Sequence, residues 1–175
     1  MNSIGFKRRK RELEWRRKID AANSEWIHFN FGLGIVNPSF GVHYTDLNNL
    51  VPQELGVICS VVNMLEGISG CGYSSETKPT LLAEHVIKYV LPKLVELRDR
   101  PTVIQQLESE SPGDWPVWGR SARIRLLPLM LANIGKLSEA LDRLTAFEKI
   151  APSIDQQRPE YAEYAKFFRA TIAKL

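Results

Sequence analysis

The chain has 175 residues, of which 44% are hydrophobic and 25% charged, with 23 Lys and Arg against 20 Asp and Glu. That composition is ordinary for a soluble globular protein and supports one domain, residues 1–175, with a sizeable core. No apolar run is long enough to span a bilayer, and the start MNSIGFKRRKRELEW puts charges where a signal peptide needs its apolar segment, so the expected location is the cytoplasm.

The net charge of +3 is unevenly placed. Residues 1–20 hold eight Lys or Arg and three acids, so the basic character belongs to the segment KRRKRELEWRRK, while the remainder is slightly acidic. Leu13, Trp15, Arg17 and Ile19 share a parity and suggest a first strand. Asp20 to Ser24 is turn material. From Glu25 to Val36, Ile27, Phe29, Phe31, Leu33 and Ile35 alternate with Trp26, His28, Asn30, Gly32 and Gly34, the period of a strand with one buried face. Val36-Asn-Pro-Ser39 is expected to close a hairpin. Pairing Ile35 with Phe40, Leu33 with Val42 and Phe31 with Tyr44 would set six apolar side chains on one face. Leu55–Val62 reads as a fourth strand, and GISGCGYSS after it as a connection.

The second half reads as helical. Pro79–Leu97 carries Leu82, Val86, Tyr89, Val90, Leu94 and Leu97 at helical spacing, with Pro92 as a kink. A short helix is expected over Pro101–Glu108, and a loop with two tryptophans over Ser111–Gly119. Ser121–Ile134 suits a buried helix bearing Pro128 as a kink and Gly135 as a left-handed cap. Ser138–Ile150 is amphipathic through Ala140, Leu141, Leu144 and Phe147. Pro159 opens a last helix with the stripe Tyr161, Tyr164, Ala165, Phe168 and Ile172. Strands first and helices after imply an α+β fold: an N-terminal antiparallel sheet of about four strands, residues 1–75, then a helical layer, residues 76–175.

Two resemblances follow from these residues. The order of Gly5-Phe6-Lys7, a tryptophan strand, and a second strand with Asn30, Leu33 and Gly34 resembles a bacterial domain family of unknown function. That family has a GFK-basic start and an NLG-type second strand. Its members carry a helix ahead of the GFK segment, which here begins at residue 5. The resemblance implies an α/β bacterial protein with no established activity and no catalytic residues. Asn133 to Leu144, ending near Ala151-Pro152, is similar to the second half of a tetratricopeptide unit. Solenoids need several units, so a single helical hairpin is the simpler reading.

No catalytic, metal or cofactor motif stands out, and no cofactor is expected. Cys59 and Cys71 lack the partner pairs of a zinc site, and Cys59 reads as a buried hydrophobe. Gly67, Gly70 and Gly72 form GxxGxG, not the spacing of a phosphate-binding turn. His28 and His43 share a face, but the expected register separates them by roughly 13 Å at about 3.3 Å per residue, too far for one ion. His85 is expected to be structural or solvent-facing.

Two binding surfaces remain. Trp115 and Trp118, beside Arg120 and Arg123, have the residue types of interface hot spots; the competing reading makes both tryptophans caps of the helical core. Arg8, Arg9, Arg16 and Arg17 could hold nucleic acid through phosphate contacts, with Trp15 stacking on a base. The competing reading is a charge-protected edge strand with Trp15 in the core. The leading expectation is a non-catalytic protein that binds another protein, such as an immunity protein neutralising a toxin. Nucleic-acid binding comes second, and an enzyme using His28 or His43 in a pocket between sheet and helices third.

Overall fold

A computed structural model describes residues 4–8, 13–32, 35–52, 55, 60–109, 119–154 and 161–175. The fold is α+β. Among the described residues, five strands lie in sequence order in one sheet: β1 (Lys7–Arg8), β2 (Glu14–Lys18), β3 (Asn23–Gly32), β4 (Ile35–Tyr44) and β5 (Ser60–Met64). The helices are α1 (Leu65–Ser69), α2 (Pro79–His85), α3 (Leu91–Arg98), α4 (Arg100–Glu108), α5 (Gly119–Asn133), α6 (Leu137–Ile154) and α7 (Tyr161–Ile172).

The chain divides into two compact units, and the division does not fall at residue 75. Met1–His43 joins Val61–Asp99, and Tyr44–Ser60 joins Arg100–Leu175. The sheet therefore shares its unit with α1 to α3, and the helical unit takes in the segment that follows β4.

In the first unit, β1 and β2 pair antiparallel with Lys7 opposite Arg16 and Arg8 opposite Trp15. Strands β2 and β3 pair antiparallel with Glu14 opposite His28, Trp15 opposite Ile27, Arg16 opposite Trp26, and Arg17 opposite Glu25. Side chains alternate across a sheet, so these pairs define two faces. One carries Arg8, Trp15, Arg17, Glu25, Ile27 and Phe29; the other carries Lys7, Glu14, Arg16, Lys18, Trp26 and His28. Ile27, Phe29 and Glu25 are buried, and Trp15 meets Phe29 edge-on at 5.1 Å between centroids. Trp15 thus supports the core side of the sheet.

The hairpin turn differs from the expected one. Strand β3 ends at Gly32 and β4 begins at Ile35, which leaves Asn37, Pro38 and Ser39 inside β4. Ile35 and Phe40 consequently share a strand and cannot pair. The buried parity of β4 is Val36, Phe40, Val42 and Tyr44, while Phe31 and Ile35 are 59% and 57% exposed. The inward parity is odd in β3 and even in β4, and an uninterrupted run of alternating apolar residues does not mark where it changes. Leu33 and Gly34 lie outside the described residues, as do positions 56–59 of the expected fourth strand, including Cys59; the described part of that strand is β5.

Helices α2 and α3 are joined through one wide π turn, Val86–Val90, just ahead of Pro92. Proline lacks an N–H and crowds the carbonyl four residues back, and a widened turn accommodates both defects. Val86, Val90, Leu94 and Leu97 are buried as the helical spacing predicts.

In the second unit, α5 retains Pro128 in its interior and ends as expected at Gly135. That residue sits at φ +84°, with Gly135 N–H donating to Ala132 O and Lys136 N–H to Leu131 O. These two bonds satisfy carbonyls the helix end would leave open. Helix α6 then runs back as the second arm of a hairpin. Ala140, Leu144 and Phe147 on α6, and the whole predicted stripe of α7, are buried.

Candidate functional site

The candidate site is the second face of the sheet in the first unit. Arg16 is its centre. It stands on β2 between Lys7 of β1 and Trp26 of β3, so one row across three strands reads Lys7, Arg16, Trp26. Glu14 and His28 form the next row, and Lys18 lies opposite Ser24. Lys7, Arg16, Lys18 and Asn30 are exposed, and Trp26 and His28 are half-buried.

Arg16 donates through Nε to Glu14 Oε1 while its side chain remains 47% exposed. His28 Nε2 lies 2.8 Å from Asn30 Oδ1. His43 of β4 is half-buried and feels the charge of Arg16. Burial first, and the Arg16 charge second, lower its pKa below the usual 6.5. The folded state therefore disfavours His43 protonation. The stability it contributes is complete above about pH 6.5 and is lost as pH falls through the lower folded-state value. Melting midpoints should drop on acidification across that window, and the slope should flatten in His43→Gln; an unchanged slope would contradict the burial of His43.

The other sequence-predicted residues have separate fates. Arg17 is committed to the opposite face. Its Nε and Nη2 donate to Glu25 Oε2 at 2.8 and 2.6 Å, its Nη1 donates to Ile4 O at 2.8 Å, and its guanidinium lies 4.6 Å from the Phe6 ring centre. Arg98 of α3 approaches Glu25 Oε1 at 3.3 Å, a charge contact without hydrogen-bond alignment. Arg8 sits 5.7 Å from the Trp15 ring centre on the same face as Arg17. The basic segment is thus divided between the two faces, and Arg8, Arg16 and Arg17 do not form one phosphate-binding track. Arg9 lies outside the described residues, as do Trp115 and Trp118. Arg120 falls within α5. Arg123 donates to Glu108 O at 3.4 Å and lies 5.9 Å from the Phe147 ring centre, contacts made inside the second unit.

One cluster escaped the sequence reading. Tyr73 hydroxyl donates to Ser69 Oγ at 2.7 Å and lies 2.9 Å from His85 Nδ1, and His85 meets Tyr89 edge-on. Burial raises the Tyr73 pKa, so the hydroxyl stays protonated at neutral pH and ties the segment after α1 to α2. Tyr73 O also accepts from Val36 N–H at 3.1 Å. His85 therefore has a structural position. Nothing in the spacing of Ser69, Tyr73 and His85 signals this meeting, because the loop between α1 and α2 creates it. Cys71 is an exposed free thiol. Among the described residues, no three His, Cys, Asp or Glu side chains gather as metal ligands, and no helix is long and apolar enough to cross a membrane.

No family model matches the chain, and no solved structure matches it. Among curated proteins it is similar to the formate–tetrahydrofolate ligases of Staphylococcus aureus strains JH9, Newman and JH1. Each is 28% identical over 114 residues, covering 61% of this chain and 20% of the enzyme. The chain spans about a fifth of the length of the curated relatives it matches.

Proposed function

We propose that this is a cytoplasmic bacterial protein that acts without catalysis by binding another protein, in the manner of an immunity protein that neutralises a toxin. The observation that supports this reading is the open sheet face: Lys7, Arg16 and Lys18 surround a half-buried tryptophan and alternate with Glu14, His28 and Asn30. An aromatic anchor ringed by polar and charged groups is the anatomy of a protein interface. The likeness to formate–tetrahydrofolate ligase covers a fifth of that enzyme and lends this chain none of its activity.

Nucleic-acid binding remains the second reading, favoured by the exposed cations Lys7, Arg16 and Lys18 among the described residues of that face. It loses ground because Arg8 and Arg17 turn to the other side and Glu14 stands among the cations.

The test is capture of tagged protein from native lysate at low and high salt, with mass spectrometry and nucleic-acid quantitation. The expected result is one protein retained in stoichiometric amount at high salt. Nucleic acid alone, released as salt rises, would replace this reading with the second.

A further inference from the structure

We infer that the Lys7–Arg16–Lys18 face of the sheet docks a carboxylate-rich protein surface, with Arg16 as the central contact and Trp26 as the apolar anchor. This rests on the protein-binding reading above and specifies its site and partner chemistry.

A local conflict of charge marks this face. Lys7 and Arg16 are direct cross-strand partners on one face, and like charges placed so are destabilising. The chain has a means of neutralising an arginine on this hairpin. On the opposite face, Arg17 is satisfied by the buried Glu25. On this face Arg16 Nε donates to Glu14 Oε1, and the Arg16 side chain remains nearly half exposed. Lys18, two residues further along the same strand, adds a third cation. Among the described residues of this face, Lys7, Arg16 and Lys18 stand with the carboxylate of Glu14, and these cations lie beside Trp26.

Departures from local self-consistency are characteristic of functional surfaces. A negative surface relieves the Lys7–Arg16 repulsion on docking, and the planar guanidinium suits carboxylate pairs. His28, opposite Glu14, lies on the same face. A protein surface fits better than a nucleic-acid backbone because Glu14 sits inside the patch. A phosphate chain running along β2 would meet that carboxylate, whereas a folded partner can place a donor against it.

The test uses the full chain, labelled with nitrogen-15 and titrated at low salt with poly-L-glutamate as the acidic probe. A single-stranded oligothymidylate of matched charge is run in parallel. Poly-L-glutamate should move the amide signals of Lys7, Arg16 and Lys18 and the Trp26 indole N–H. The variant Lys7→Glu/Arg16→Glu/Lys18→Glu, checked for an unchanged melting curve, should bind about tenfold more weakly or worse, since rim charges set long-range attraction. Lys149→Glu/Lys166→Glu, altered on exposed positions of α6 and α7, should bind as wild type.

Shifts confined to other surfaces, or equal binding by the triple variant, would overturn the proposal. Tighter binding of oligothymidylate to the same face would overturn it in favour of nucleic acid. The two readings fail separately. A captured native partner that the triple variant still holds removes this face and leaves protein binding standing. Absence of any native partner, with poly-L-glutamate docked as described, removes the protein-binding role and leaves the face as an acidic-ligand site.

Discussion

Substituting Glu25→Ala is expected to destabilise the first unit by about 3–5 kcal/mol. Glu25 is fully buried, and two arginines depend on it. Arg17 donates to it twice, and Arg98 brings α3 against the same carboxylate. Removing the carboxylate leaves two cations facing each other in a poorly solvated site, which costs more than the pair contributes when intact. Arg17 is held from further directions by Ile4 O and the Phe6 ring. Gly5, between them, adopts φ +84° with Arg17 Cδ only 3.2 Å from where a Cβ would stand, so the arginine has no easy escape. Urea unfolding followed by circular dichroism measures the effect. Replacing all three residues together, as Arg17→Met/Glu25→Leu/Arg98→Met, should recover most of the loss, since no charge is then stranded. A single Glu25→Ala variant as stable as wild type would contradict the burial of this triad.

Phe168→Ala should cost the second unit a similar amount, about 3–5 kcal/mol, by a different mechanism. Phe168 is fully buried on α7 and stacks on Tyr164 at 6.0 Å between centroids, with ring planes 12° apart. Tyr164 in turn donates to Arg125 O at 2.7 Å, and Tyr161 donates to Ile124 O at 3.1 Å. The aromatic stripe is thereby fastened to the backbone of α5. Truncation leaves a ring-sized void that the neighbouring helices fill only in part. Because the Arg169–Glu148 ion pair between α7 and α6 survives the substitution, the loss measured belongs to packing. Tyr164→Phe should cost much less, about 1 kcal/mol, since it removes one hydrogen bond and keeps the ring.

These two residues show what the sequence could and could not disclose. Phe168 was legible because helical periodicity repeats every few residues along one face, and the stripe Tyr161, Tyr164, Ala165, Phe168, Ile172 is buried throughout. Gly135 was legible because a left-handed helix end selects glycine. Glu25 was not legible. A carboxylate at the head of an alternating strand looks like a solvated end, and only the partners Arg17 and Arg98, 8 and 73 positions away, make it internal. Composition misleads at the expected hairpin for a related reason. Asn37-Pro38-Ser39 has turn composition, but it lies within β4. The candidate face was half legible. Clustered Lys and Arg marked the segment, while their division between faces depends on the pairing of β1, β2 and β3.

Native capture with wild-type protein and with Lys7→Glu/Arg16→Glu/Lys18→Glu, side by side at high salt, tests the central claim most directly. One protein retained near equimolar by the wild type and lost by the equally stable variant is the predicted result. The same protein retained by both, or none retained by the wild type, would contradict it.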